Sequence, residues 1–400
     1  MNPQLSALQP YPFQKLSALL SSPSSATLRP INLSIGEPKH ATPQFIRDAL
    51  TANLVGLASY PATAGSESLR RTIADWIKRR FSLGHIDPLR QVLPVNGSRE
   101  ALFAFAQAII DPSREHATVV APNPFYQIYE GAALLAGAQP RFLNQLPHND
   151  FAMDWAQLPD SDWAHTQLIY VCSPANPTGH VMTLSEWKTL FELSDRHGFV
   201  IASDECYSEI YFDEVAPPLG ALDAANRLGR GDFKRLISFS SLSKRSNVPG
   251  MRSGFIAGDA EIVAKFLLYR TYHGCAMNPA IQAASEAAWR DEAHVTENRR
   301  LYREKFRQTV AMLGEVTEVA MPQAAFYLWL PTPVSDTEFA KGLFNQYNVT
   351  VLPGSFLARE AHGVNPGRGY VRIALVPGVD ECVEAATRIA GFCRTYQTRD

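Results

Sequence analysis

The segment Ser241-Leu242-Ser243-Lys244 leads through Pro249-Gly250 to Arg252, which places a lysine and an arginine eight residues apart on a turn after an apolar run. These residue types suit pyridoxal 5'-phosphate. A lysine amine condenses with the cofactor aldehyde, while serine hydroxyls and a guanidinium close on its phosphate. In isolation such a pair is ordinary solvated surface. Four other segments supply the remaining parts of one site.

Asn96-Gly97-Ser98-Arg99-Glu100 opens an apolar helical run over 101–110. Free N–H groups at a helix start attract an anion, and Gly97 lets it approach closely. An ordinary Asn or Ser cap is the plainer reading of this stretch alone. Pro122-Asn123-Pro124-Phe125-Tyr126 offers a ring to stack on the pyridine face, with Tyr126 preferred to Phe125 and core packing as the alternative. Asn176, between prolines in Ser173-Pro174-Ala175-Asn176-Pro177-Thr178-Gly179, sits in a rigid turn where its amide can donate to the cofactor's phenolate oxygen and to a substrate carboxylate. In Ser203-Asp204-Glu205-Cys206-Tyr207, a carboxylate ends a buried run and needs a partner. A pyridinium nitrogen is such a partner: Asp204 would keep it protonated, and the Tyr207 hydroxyl would bond the phenolate. The alternatives are a helix cap or a metal ligand, but no His or carboxylate cluster accompanies Asp204, so no metal is expected.

These segments must be held by a scaffold. Four hundred residues predict two domains: an N-terminal arm with part of a small domain over 1–44, a large cofactor-binding domain over 45–290, and a small C-terminal domain over 291–400. Short apolar runs at 118–121, 168–171, 200–202, 236–239 and 254–257 alternate with helical segments. Uniformly apolar strands are expected in an α/β fold where helices cover both faces of a mainly parallel sheet. Ligands gather at the C-terminal strand ends of such sheets, and the polar clusters follow the apolar runs. A charged helical stretch over 297–313 and strand-like runs over 325–330 and 370–376 predict the smaller α+β domain. In the arm, Leu5, Leu8, Phe13, Leu16 and Leu20 recur at helical spacing, facing either the chain's own body or a neighbouring subunit.

The net charge is −2 with mixed signs, which argues against nucleic acid or an anionic membrane surface as partner. Five cysteines without CxxC pairs indicate neither a disulfide framework nor zinc, and fit a reducing cytoplasm. The first residues lack a basic start followed by a long apolar run, and no stretch has the length to cross a bilayer. A soluble cytoplasmic protein is expected.

Taken in order, the phosphate loop, stacking aromatic, NPTG, DExY and SxSK…R segments resemble the class I/II aminotransferases, pyridoxal-phosphate enzymes of fold type I, over nearly the whole chain. The resemblance implies a large domain with a mainly parallel seven-stranded sheet between helices, a smaller α+β domain, and a homodimer with shared active sites. It implies that Lys244 carries the Schiff base and moves the proton, that Asp204 partners the ring nitrogen, and that Tyr207 and Asn176 face the phenolate oxygen. Gly97, Ser98, Arg99, Ser241, Ser243 and Arg252 fall among the cofactor-binding positions, and Tyr60, in Ser59-Tyr60-Pro61, matches a tyrosine reaching the phosphate from the other subunit. Arg372, in Tyr370-Val371-Arg372-Ile373-Ala374, resembles the arginine that grips the substrate α-carboxylate by a two-pronged ion pair, and Gly36 the backbone contact beside it. One departure is Ala324, where the family often has glycine.

Three stretches, 34–40, 241–247 and 270–277, are similar to bacterial N-succinyldiaminopimelate aminotransferases. That likeness implies transfer of an amino group from N-succinyl-LL-2,6-diaminopimelate to 2-oxoglutarate, giving N-succinyl-2-amino-6-oxopimelate and glutamate in lysine biosynthesis. Lys39 stands where many relatives are acidic and suits a donor with additional carboxylates; Arg245, Arg270 and His273 are further candidates. Aspartate, alanine or N-acetylornithine-type transamination, or a carbon–sulfur lyase or decarboxylase, remain alternatives on the same core. A cofactor-binding transcriptional regulator would need a DNA-binding segment, for which the arm before Gly36 is too short and too poor in basic residues.

Overall fold

The computed structural model of the protein describes residues 1–397. After a short strand β1 (Ile31–Asn32), seven strands build one sheet: β2 (Val92–Val95), β3 (Thr118–Asn123), β4 (Gln139–Asn144), β5 (Thr166–Cys172), β6 (Val200–Asp204), β7 (Leu236–Ser241) and β8 (Gly254–Gly258). Their order is β2-β8-β7-β6-β5-β3-β4. Strands β3 to β7 run parallel to one another, and β8 is antiparallel to both β2 and β7. Side chains alternate between two dry cores. Val119, Ala121, Leu168, Tyr170 and Ala202 enter one, Val120, Ile169, Val171 and Ile201 the other. Both faces are covered, so every side chain of β3 and β5 is buried, which is why these strands read as unbroken apolar runs. Each of the five runs read from the sequence is a strand, longer than expected by one to three residues.

The parallel strands all finish at one edge of the sheet, on Asn123, Asn144, Cys172, Asp204 and Ser241, and the polar segments follow there. Two helix starts share that edge. The helix Ser98–Ile109 begins at Gly97 with φ 94° and no side-chain cap, leaving its first N–H groups open to a ligand. The single turn Leu242–Arg245 starts directly after β7, and the Ser241 hydroxyl caps it by accepting the Ser243 N–H at 3.0 Å. That cap fixes the turn carrying Lys244.

The C-terminal part holds β9 (Tyr327–Pro331), β10 (Val349–Thr350), β11 (Leu352–Pro353) and β12 (Tyr370–Ala374). An antiparallel sheet runs β11-β12-β9, while β1 pairs in parallel with β10 and ties the arm to this region. A separate core containing Tyr302, Phe306, Leu328, Phe339 and Ile373 lies between this sheet and the long helices Ala293–Leu313 and Val379–Gln397. Strand β9 starts two residues later than the sequence suggests, because Ala325 takes φ 70° and its N–H bonds the Ile210 carbonyl at 2.8 Å. The arm is not one helix: its prolines divide it into a 3-10 turn, Pro3–Ala7, and a helix, Pro12–Leu19. Leu16 packs on Leu352 and Leu357 of the chain's own body, whereas Leu5 and Leu8 are exposed.

Candidate active site

The strand ends and helix starts enclose a cleft of about 490 Å³, lined by Gly36, Ser98, Arg99, Tyr126, Asn176, Asp204, Tyr207, Ser241, Ser243, Lys244, Arg252 and Arg372. Twelve of the sequence-predicted residues therefore meet at one place. At its centre, the Lys244 ammonium donates to the Gly36 carbonyl at 2.8 Å and stands 5.4 Å from the Phe326 ring centre. Burial pushes this amine down to about 8, and the nearby cations Arg372 and Arg252 act in the same direction. A lysine so placed holds a useful fraction of free amine near neutral pH.

Asp204 is 4% exposed. Its Oδ2 accepts the Tyr129 hydroxyl at 2.8 Å and its Oδ1 the Cys206 N–H at 3.2 Å. Burial raises this carboxyl above its usual range, and the hydrogen bonds from Cys206 and Tyr129 and the nearby Lys244 oppose the shift. A buried carboxylate needs hydrogen bonds or a cation to balance it, and at the edge of a cleft a cationic ligand group would serve.

At the phosphate end, the Ser241 hydroxyl donates to Ser243 Oγ at 2.9 Å, and the Cys206 thiol donates to Ser98 Oγ at 3.0 Å. Arg252 forks onto Glu100, Nε at 3.1 Å and Nη2 at 2.6 Å. A Cβ added to Gly97 would lie 2.2 Å from Arg252 Nη2, so this glycine makes room for the guanidinium as well as for an approaching anion. Arg99 donates to the Tyr126 hydroxyl at 2.6 Å, and Tyr126 stands edge-on to Tyr129. A buried amine, a buried carboxylate and a cup of hydroxyls, open helix N–H groups and a guanidinium fit the aldehyde, ring nitrogen and phosphate of pyridoxal 5'-phosphate.

On the substrate side, Arg372 is 4% exposed although it lies on a strand, a setting in which a lone arginine is usually at the surface. Its Nη1 donates to Asn176 Oδ1 at 3.0 Å and its Nη2 to the Ser34 carbonyl at 2.8 Å, while the buried Nε has no partner among the described residues. The guanidinium also covers the Tyr327 ring at 4.4 Å. Tyr327 in turn bonds the Tyr207 hydroxyl at 3.0 Å and fills the space a side chain at Gly36 would need.

Several expected residues lie elsewhere. Tyr60 is fully exposed, beside the exposed Leu54, Val55 and Leu57, and does not enter this chain's cleft. Lys39 pairs with Glu37 at 3.1 Å in the solvent; Glu37 lines the cleft and Lys39 does not. Arg245 is 1% exposed and turns away to the Ala288 and Asp291 carbonyls and Glu292, Arg270 bonds the Cys275 carbonyl, and His273 stacks on Tyr269. None of these three lines the cleft. Conversely, Tyr129 and Tyr327 touch the key groups without having been read from the sequence. A second aromatic three residues after Tyr126 and the Phe326-Tyr327 pair were the available signals. Among the described residues, no group of three or more His, Cys, Asp or Glu is placed to hold a metal, and no helix is long and apolar enough to cross a membrane.

Comparison with known proteins agrees with this geometry. The family described as aminotransferase class I and II matches residues 29–389. An LL-diaminopimelate aminotransferase of Nitratidesulfovibrio vulgaris, strain Miyazaki F, is 31% identical over 97% of this chain and 98% of its own. The crystal structure of an aminotransferase from Neisseria meningitidis superposes with a TM-score of 0.95 at 52% identity, covering 98% of this chain and 99% of that one. A structure described as a probable N-succinyldiaminopimelate aminotransferase from Thermus thermophilus has a TM-score of 0.84 at 26% identity, covering 95% and 100%. With fold, cleft and matched span in agreement, the chain belongs to the class I and II aminotransferases of fold type I, a family that works with pyridoxal 5'-phosphate.

Proposed function

We propose that this aminotransferase takes its amino group from N-succinyl-LL-2,6-diaminopimelate and passes it to 2-oxoglutarate, in the diaminopimelate route to lysine and in the cytoplasm. The observation that carries an α-amino acid donor is the buried Arg372, held by Asn176 and Ser34 with its Nε unspent, in the same cleft as the Lys244 amine. A carboxylate gripped there puts the neighbouring α-carbon within reach of Lys244. The bound cofactor supplies an aldehyde for the donor nitrogen and a ring that accepts electrons when the α-proton leaves. In this reading Lys244 carries that proton, Asp204 keeps the ring nitrogen protonated, Tyr207 and Asn176 orient the phenolate oxygen, and Tyr126 stacks on the ring. Ser98, Arg99, Ser241, Ser243 and Arg252, around Gly97, hold the phosphate. The exposed apolar patch at Leu54, Val55 and Leu57 supports a homodimer in which Tyr60 completes the other subunit's site. A C-terminal core separate from the two that flank the large sheet supports a division into a large domain over 45–290 and a small one formed by 291–400 with part of 1–44.

The donor's succinyl group is supported by the likeness of 34–40, 241–247 and 270–277 to N-succinyldiaminopimelate aminotransferases. A second reading, LL-diaminopimelate itself, is supported by the name of the N. vulgaris relative. The two donors share the reacting end and differ at the far end, which bears two carboxylates in the first and a carboxylate with an ammonium in the second. Single-turnover spectra of the cofactor-loaded enzyme with each donor, with glutamate and with aspartate test the choice. Faster conversion by the succinylated donor than by LL-diaminopimelate supports the first reading, the reverse order supports the second, and equal conversion by all four removes both.

A further inference from the structure

Tyr129 does more than fill the core. It lies in the first turn of the helix Ile128–Leu135, is 1% exposed, and stacks on Tyr170 of β5 at 4.7 Å with planes 11° apart. Its hydroxyl is thereby fixed on Asp204 Oδ2 at 2.8 Å. The Cys206 N–H fixes the other oxygen at 3.2 Å. Each carboxylate oxygen thus has a donor from the protein, with the Cys206 thiol also at hand, and keeps lone-pair capacity for the cleft. Burial alone would drive Asp204 toward the neutral acid, which is a poor partner for a protonated ring nitrogen. A phenol beside it can only donate, because burial and the Asp204 charge hold the Tyr129 hydroxyl protonated. Donation to an anion is among the stronger hydrogen bonds a neutral group makes.

We propose that Tyr129 is a positioning residue which, through its hydrogen bond to Asp204, keeps that carboxylate anionic and aimed at the cofactor's ring nitrogen. The proposal rests on the assignment of Asp204 to that nitrogen. Removing the hydroxyl leaves ring and stack intact but lets the shared proton drift from nitrogen to carboxylate, which weakens the grip on the ring and its capacity to accept electrons.

The test separates this role from packing. Apoprotein of the wild type and of Tyr129→Phe is titrated by tryptophan fluorescence with pyridoxal 5'-phosphate and with its 1-deaza analogue, in which a C–H replaces the ring nitrogen. The wild type should bind the native cofactor more tightly than the analogue. Y129F should lose about tenfold in affinity for the native cofactor and less than about twofold for the analogue, as expected when one hydrogen bond to a charge is removed. Equal losses for both ligands, or no loss for either, would overturn the proposal and leave Tyr129 a packing residue. A wild type that binds both ligands equally would overturn it at its root, by removing the contact between Asp204 and the ring nitrogen.

Discussion

Capture of the cofactor by Lys244 should follow the titration of a depressed amine. The perturbation is pH alone. Burial lowers the group from 10.5 to about 8, with Arg372 and Arg252 adding to the shift and Cys206 and Glu37 opposing it. At pH 7 the ammonium-to-amine ratio falls from about 3,000:1 to about 10:1, so the reactive fraction rises roughly 300-fold over that of a solvated lysine. Apoprotein mixed rapidly with pyridoxal 5'-phosphate, quenched with borohydride at timed intervals and digested, yields the adduct at position 244 by mass spectrometry. The rate should climb about tenfold per pH unit up to about 8 and then level off. A rate that keeps climbing with the same slope to pH 10 would show that Lys244 is an ordinary solvated amine, and the link from burial to reactivity would fail.

Four more outcomes are expected. Arg372→Lys replaces a planar fork with a point charge; losing one charge-assisted bond of about 2–3 kcal/mol should lower kcat/KM for amino donors about 30- to 150-fold without changing cofactor affinity, measured by steady-state kinetics beside equilibrium dialysis. Gly97→Ala forces a side chain into φ 94° and to 2.2 Å from Arg252 Nη2, so cofactor affinity should fall about tenfold or more in the same dialysis assay. Glu205 accepts Ser203, Ser238 and the Ala221 N–H, and burial raises it to about 7 from 4.5; the folded state then binds the additional proton between those values, so this contribution to stability is lost as pH rises through 7. Thermal melts of Glu205→Gln against wild type should accordingly favour the variant more at pH 8 than at pH 5. Lys39→Ala breaks an exposed pair and should lower the preference for the succinylated donor over glutamate by only about threefold in a competition assay; an unchanged preference removes Lys39 from donor recognition.

The interior of the large sheet was legible because its strands are dry on both faces. Its edges were not. Strand β4 runs Gln139–Asn144 with an alternating exposed pattern, since the sheet ends there and one row of side chains meets solvent. Strand β2, at the other edge, contains Pro94, which an edge position tolerates because no partner waits for its missing N–H. Both were absent from the apolar runs, though they complete the seven strands. The arm misled in a similar way: its leucines hold helical spacing while Pro10 and Pro12 divide the backbone, so periodicity alone overstated the helix.

In the site, legibility followed chain continuity. Residues within a motif at a strand end were found, because strand, turn and chemistry are contiguous in sequence. Tyr129 and Tyr327 reach Asp204 and Tyr207 from other elements, and packing alone brings them there. The misassigned cations show the converse. Arg245 stands next to Lys244 and carries the charge a polyanionic donor would need, yet its guanidinium lies 4.8 Å from the Trp289 ring centre and bonds the Ala288 and Asp291 carbonyls at the end of the helix Pro279–Arg290. Ala288 lies in the last turn of that helix and Asp291 is its C-cap, so both carbonyls sit at the negative end of the helix dipole and attract a cation. Sequence reveals that a charge is present; whether a helix end or a ligand takes it depends on which side of the backbone the residue faces. In a one-turn helix such as Leu242–Arg245, adjacent residues point about 100° apart, enough to send Lys244 into the cleft and Arg245 into the core.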